Sequence, residues 1–188
     1  MSAWQALEML ADGRQLWRVA TPLAAQFAAG QHLMVGEQRL PILRADADAL
    51  NVVALQAPTN TSPLRLAGEA LVLADTASLL LVTHDDGVFA ALAWLFRHRR
   101  QVPAGALRLF AVFSGDSAEH KLPFRPQPSR YLTPMLPPYV TAALPLLDDW
   151  QIVSRIAHPA GLPGCFEGAP EILIAAWQRA GDRVMVIR

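Results

Sequence analysis

Residues 77–100 constrain this chain more than any other stretch. An apolar run, Leu79-Leu80-Leu81-Val82, meets a polar turn, Thr83-His84-Asp85-Asp86-Gly87, and a helically spaced apolar pattern follows from Val88 to Arg99. The pattern predicts strand, tight turn and helix. In nucleotide-binding α/β domains that junction aims bare backbone N–H groups and a helix N-terminus at a pyrophosphate, and it uses several glycines so that the phosphate can come close. Here Gly87 is the only glycine, and His84, Asp85 and Asp86 stand where small residues would admit phosphates.

At 188 residues, 53% of them hydrophobic, the chain has room for one large domain or two small ones, with ample material for a core. Its 16 basic and 16 acidic residues balance, so a phosphate backbone would meet no general positive field, and nucleic acid is not an expected partner. The lone Cys165 leaves no intrachain disulfide and no multi-cysteine metal site, which suits a reducing compartment. The first residues lack the basic start and unbroken apolar region of a signal peptide. Charges also interrupt every apolar run well before the roughly 20 residues of a membrane span. The expectation is a cytoplasmic protein with no membrane partner and no metal.

From residue 16 to about 75 the pattern is of short β-like segments, at 16–20, 32–35, 39–44, 50–55 and 70–73, separated by turn residues; residues 23–29 also fit a helical turn. After Thr76 the texture changes. Strand 79–82, helix 88–99 and strand 107–113 predict a βαβ unit with parallel strands. Residues 114–138, rich in proline, read as a surface excursion. A helix over 139–147, a strand over 150–156, a helix over 169–179 and a last strand over 183–187 follow. The predicted architecture is a small N-terminal antiparallel β-barrel over residues 1–75, followed over 76–188 by an α/β domain with a mostly parallel sheet.

Set in order, these pieces resemble the ferredoxin–NADP reductase superfamily, whose members join a flavin-binding β-barrel to a nucleotide-binding α/β domain. Phe27-Ala28-Ala29-Gly30-Gln31-His32-Leu33 is similar to the family's Pro-Gly-Gln turn. Arg39-Leu40-Pro41-Ile42 falls at its Arg-Pro-Tyr-Ser type flavin motif, and 62–73 at the segment that closes the barrel. Residues 79–90 sit where the glycine-rich turn opens the second domain, and Phe113-Ser114-Gly115-Asp116-Ser117 where a strand ends in Tyr-Gly-Ala-Arg. The resemblance implies a flavin, FAD or FMN without a choice between them, and a redox partner protein. It carries cofactor contacts onto Arg39, Ile42, His84, Gly87 and Gly115, and designates no catalytic residue.

The departures fall at the functional positions. Leu40, Pro41 and Ile42 replace the aromatic and hydroxyl groups that would stack on and bond the flavin, and the chain ends at Arg188, directly after its last predicted strand. The apolar surface left by a missing C-terminal helix is one that a homodimer would cover. A carboxylate about 5 Å from a pyrophosphate repels it by roughly 3 kcal/mol at an effective dielectric near 20, so NAD(P)H is disfavoured at the turn. Asp85 and Asp86 read more readily as caps of the following helix, His84 as a turn residue, and the Arg97-His98-Arg99-Arg100 run as a helix end. Cys165 has no nameable base and reads as an inert small residue. Two functions stay open: a flavin-dependent or electron-transfer oxidoreductase with degenerate cofactor motifs, and a non-catalytic accessory or protein-binding module on the same fold.

Overall fold

The computed structural model describes residues 4–58, 62–72, 78–103, 105–114 and 122–188. They form two compact units, the first of residues up to Val72 plus Phe89–His98, the second of Leu73–Val88 and Arg99–Arg188.

The first unit is built on β1 (Trp4–Met9), β2 (Gln15–Ala20), β3 (His32–Val35), β4 (Gln38–Ala45), β5 (Ala49–Ala54) and β6 (Leu64–Ala67). They pair antiparallel in the order β1-β2-β5-β4-β3-β6. Alternation sets which face is dry: Leu33, Val35, Leu40 and Ile42 are buried, whereas His32, Met34, Arg39 and Pro41 point the other way. The turn into β3 depends on Gly30, whose φ is +99° and whose added Cβ would lie 2.6 Å from the Glu69 carbonyl oxygen. Gln31 Oε1 accepts from the Ala28 amide at 2.9 Å and fixes the same turn.

β5 is buried along its whole length. Helix α1 (Gly87–His98) contributes its residues from Phe89 onward to this unit, with the Arg14 and Arg44 guanidiniums 5.1 and 5.6 Å from the Phe89 and Phe96 ring centroids. At its far end Arg97 lies over the Phe27 ring and donates to the Phe27 carbonyl at 3.0 Å. His98 stacks on Trp94 with centroids 4.7 Å apart. The basic helix end is thus tied down by aromatic rings as well as favoured by the helix dipole.

The second unit holds a four-stranded parallel sheet of β7 (Leu79–His84), β8 (Leu107–Val112), β11 (Val153–Ala157) and β12 (Arg183–Ile187), in the order β11-β8-β7-β12. Near-continuous apolar runs are what a sheet covered on both faces requires, and β8 is buried throughout. Leu80, Val82, Phe110 and Val112 pack with Leu173 and Trp177 of helix α3 (Pro170–Trp177). A buried ion pair sits in this interior. Arg108 of β8 donates to the Trp177 carbonyl at 2.5 Å, which satisfies the end of α3, and pairs with Asp182, whose side chain is fully buried.

Between β8 and β11 the chain makes the excursion expected from its prolines, and the structure shows what fixes it. Two-residue strands β9 (Gln127–Pro128) and β10 (Ala142–Ala143) close its base. Buried Arg155 donates to the Tyr131 carbonyl at 2.6 Å and to Thr133 Oγ1 at 2.9 Å. Buried Asp148, in helix α2 (Pro145–Asp149), accepts from Ser129 Oγ and the Arg130 amide. Leu136 and Val140 point into the core, while Leu132, Met135 and Tyr139 stand in solvent.

Three expectations differ from what is found. Residues 139–147 are not one helix: the β9–β10 ladder takes Ala142 and Ala143, and helix starts only at Pro145, whose fixed φ suits a first turn. Within 70–73 the described residues 70–72 form no strand; the partner of β3 lies earlier, at Leu64–Ala67. β1 was not anticipated.

Candidate functional sites

The first candidate site is the outward face of β4-β3-β6. Arg39 and Arg65 are both paired with Met34, one from each side, and His32 lies two residues from Met34 on the same face, paired with Pro41 and Ala67. Directly opposed residues of antiparallel strands share a face, so these side chains form one surface. Among the described residues neither arginine has an ion pair or hydrogen bond. Burial, then the charges of Arg39 and Arg65, lower the His32 pKa. Its Nδ1 is buried without a partner among the described residues, and an added Cβ on Gly68 would lie 3.0 Å from that atom.

Ile42 does not share this surface. It is 1% exposed on the opposite face of β4, so its side chain offers nothing to a ligand there. Arg65, not among the candidate site residues, lies in β6, within the 62–73 segment and ahead of the expected 70–73 strand.

The second candidate site is the C-terminal edge of the parallel sheet, where open α/β sheets bind ligands. His84 ends β7, half-buried, with Asp85 beyond it at a φ of +47°. The Asp85 amide donates to the Val112 carbonyl at 2.9 Å. Its carboxylate is not the cap expected for α1: it accepts from the Ser114 amide at 2.9 Å and from Ser114 Oγ at 2.6 Å, joining the ends of β7 and β8. The α1 turn is closed instead by the backbone, the Val88 amide donating to the Asp85 carbonyl. Gly87 is buried, and an added Cβ there would lie 2.5 Å from the Ile187 carbonyl oxygen, so the end of the last strand requires its bareness. Gly115, the other candidate here, lies outside the described residues.

The remaining candidates have structural roles. Cys165 is buried, and desolvation pushes its thiol up to about 11, far from thiolate chemistry at neutral pH. Arg99 lies over the Trp150 ring, 4.2 Å from its centroid. Trp94 and Trp177 fill core. No group of histidine, cysteine and carboxylate side chains among the described residues is arranged to hold a metal, and none of their helices is long and apolar enough to cross a membrane.

No protein-family model and no curated protein sequence matches this chain. Solved structures do. A ferredoxin reductase of carbazole 1,9a-dioxygenase, in its FAD apo form, superposes with a TM-score of 0.56 at 10% identity over 98% of this chain and 57% of that one. The chain has the ferredoxin reductase fold. An NADH-dependent reduced ferredoxin-NADP oxidoreductase, studied for flavin-based electron bifurcation, gives a TM-score of 0.55 at 9% identity over 97% of this chain and 65% of that one. The flavohem-like FAD/NAD binding domain of nitric oxide dioxygenase from Vibrio cholerae O1 biovar El Tor gives 0.54 at 9% identity over 97% of this chain and 95% of that domain. This chain therefore spans less than two thirds of two of these proteins and nearly all of the third. The order of an antiparallel sheet followed by a parallel one agrees with the sequence-based expectation.

Proposed function

We propose that this ferredoxin reductase-like protein binds a flavin on the outward face of β4-β3-β6 and passes electrons between that flavin and a partner protein, without taking NAD(P)H at the parallel sheet. The observation that carries the reading is the state of Arg39. It stands on β4, in the segment that resembles the family's flavin motif, on the wet face, with no partner among the described residues. Arg39 would hold the phosphate end of the cofactor, and Pro41 and Met34 would offer apolar surface beside it. A bound flavin supplies one- and two-electron chemistry; the protein's part is to hold and orient it.

The nicotinamide half of the fold's usual chemistry fits poorly. The space over Gly87 is filled by the Ile187 backbone, and the Asp85 carboxylate lies across the ends of β7 and β8. The same closed edge favours a second reading, a non-catalytic module that keeps the reductase fold for docking.

Titration of the purified protein with FMN and FAD, followed by quenching of flavin fluorescence, separates the two. Saturable quenching with a micromolar midpoint is expected. Absence of any flavin binding, together with a stable complex with a redox protein, would favour the docking module.

A further inference from the structure

We propose that β12 is a docking edge for a second copy of this chain, pairing antiparallel with the same strand of that copy about a two-fold axis at Met185. The two edges of the parallel sheet differ. Beyond β11 the chain closes the edge itself, the Phe166 amide donating to the Ile156 carbonyl and the His158 amide to the Phe166 carbonyl, each at 2.9 Å. Beyond β12 no strand follows among the described residues. The Arg183 amide donates to the Ser78 carbonyl at 3.1 Å, so the amides and carbonyls of Arg183, Met185 and Ile187 are turned toward β7. Hydrogen-bonding direction alternates along a strand, which leaves those of Val184 and Val186 turned outward, with no partner among the described residues.

Unpaired edges are ordinarily blunted by a charge, a proline or a bulge. β1 has a bulge between Ala6 and Glu8, and β6 carries Arg65. From Val184 to Ile187 β12 has none of these: its register with β7 is unbroken, and Val186 is 51% exposed. The strand's own sequence identifies the partner. With Met185 opposite its twin, Val184 of each copy meets Val186 of the other, and these are the residues whose amides and carbonyls face outward, so each pair can exchange bonds in both directions. Moving the axis to Val184 or Val186 would set an outward residue against Asp182 or Arg188, outside the strand. Val184 already packs against the core that includes Leu80 and Trp177, and Val186 of the other copy extends that apolar strip. Arg183 falls opposite Ile187 and, at about 3.3 Å per residue, roughly 13 Å along the strand from its own twin. No like charges meet across the pair, and a chain of zero net charge does not repel its copy. The same patch serves both copies, so the assembly closes at the dimer.

Sedimentation velocity of the whole protein from about 1 to 200 µM should show a monomer–dimer equilibrium with a micromolar Kd, since a single strand pair is a small interface. Val186→Lys sets a charge against the apolar Val184 of the other copy and should weaken association about tenfold or more. Its melting temperature should stay near the parent's, because the site is half exposed in the single chain. Disulfide trapping with oxidised glutathione reads the register. Cα atoms of a non-hydrogen-bonded pair lie about 4.5 Å apart, within disulfide range, so Met185→Cys should cross-link two copies. Val186→Cys should not, its twin being roughly 8 Å away. Cys165 is buried and does not compete. Protein that stays monomeric at about 200 µM would overturn the proposal. So would a dimer that Val186→Lys leaves intact, or one that cross-links through Val186→Cys and not through Met185→Cys.

Discussion

Replacing Asp182 by alanine should be among the most damaging single changes in the second unit. Its fully buried carboxylate pairs with Arg108, itself 1% exposed, and also accepts from Ser78 Oγ and the Arg179 amide. Ser78 Oγ has a second partner in the Ala106 carbonyl, so the group left stranded is the guanidinium. Breaking a buried pair from one side costs about 3–5 kcal/mol. At about 2–4 °C per kcal/mol for a chain of this size, the melting temperature should fall by roughly 6–20 °C. Circular dichroism melts of the parent, Asp182→Ala and the double variant Asp182→Leu/Arg108→Met would measure it, the double variant recovering much of the loss because no charge then remains buried. A drop below about 2 °C in Asp182→Ala, or a double variant no better than the single one, would refute the reasoning. The pH dependence follows with a definite sign. Burial works to raise the Asp182 pKa, but the hydrogen bonds from Ser78, Arg179 and Arg108 and the Arg108 charge outweigh it and hold the carboxyl below its usual value. A depressed folded-state pKa gives stability that is fully present above the unfolded value, about 3.9, and is lost as pH falls through the folded one. Asp182→Ala should therefore show a shallower loss of stability below about pH 4 than the parent.

Gly87→Ala should destabilise the second unit by about 1–3 kcal/mol, since its Cβ would meet the Ile187 backbone, which cannot swing aside as a side chain can; an unchanged urea midpoint would count against the closed edge. Asp85→Ala should free Ser114 and cost about 1 kcal/mol, a modest figure because the contact is exposed. If that variant binds NADH no better than the parent does, the closure rests on Gly87 and β12 more than on the carboxylate. Cys165 should react with a thiol reagent at pH 8 far more slowly in the native protein than in denaturant, because burial lifts its pKa to about 11; equal rates would place the thiol at the surface.

Where hydrophobic pattern and final burial coincide, the sequence was legible. The strand-turn-helix over residues 79–98, the β3 span and the last strand fall where the pattern puts them: β3 alternates, β7 is an apolar run buried almost throughout, and β12 ends on buried Ile187. β1 carries no such signal: five of its six residues are exposed, so nothing forces alternation on it. The exchange of 70–73 for Leu64–Ala67 has a different cause. Both segments have strand composition, and only register against β3, a long-range matter, selects between them. That exchange hid Arg65, whose meaning comes from its position across Met34 from Arg39. The capping role read for Asp85 failed likewise for a tertiary reason, since Ser114, 29 residues away in sequence, takes both carboxylate oxygens.

The excursion over residues 129–141 bears on kinetics. Leu132 is 94% exposed, yet the backbone beneath it is fixed by Arg155 and Asp148. Ordering a free loop costs about 1–2 kcal/mol per residue, and here that entropy is lost when the chain folds. Any association at Leu132, Met135 and Tyr139 would then need no coupled ordering of the loop. Its rate would be governed by diffusion and orientation, in the range of about 10⁵–10⁷ M⁻¹s⁻¹, and weakening Arg155 or Asp148 would slow encounter without altering a single exposed side chain.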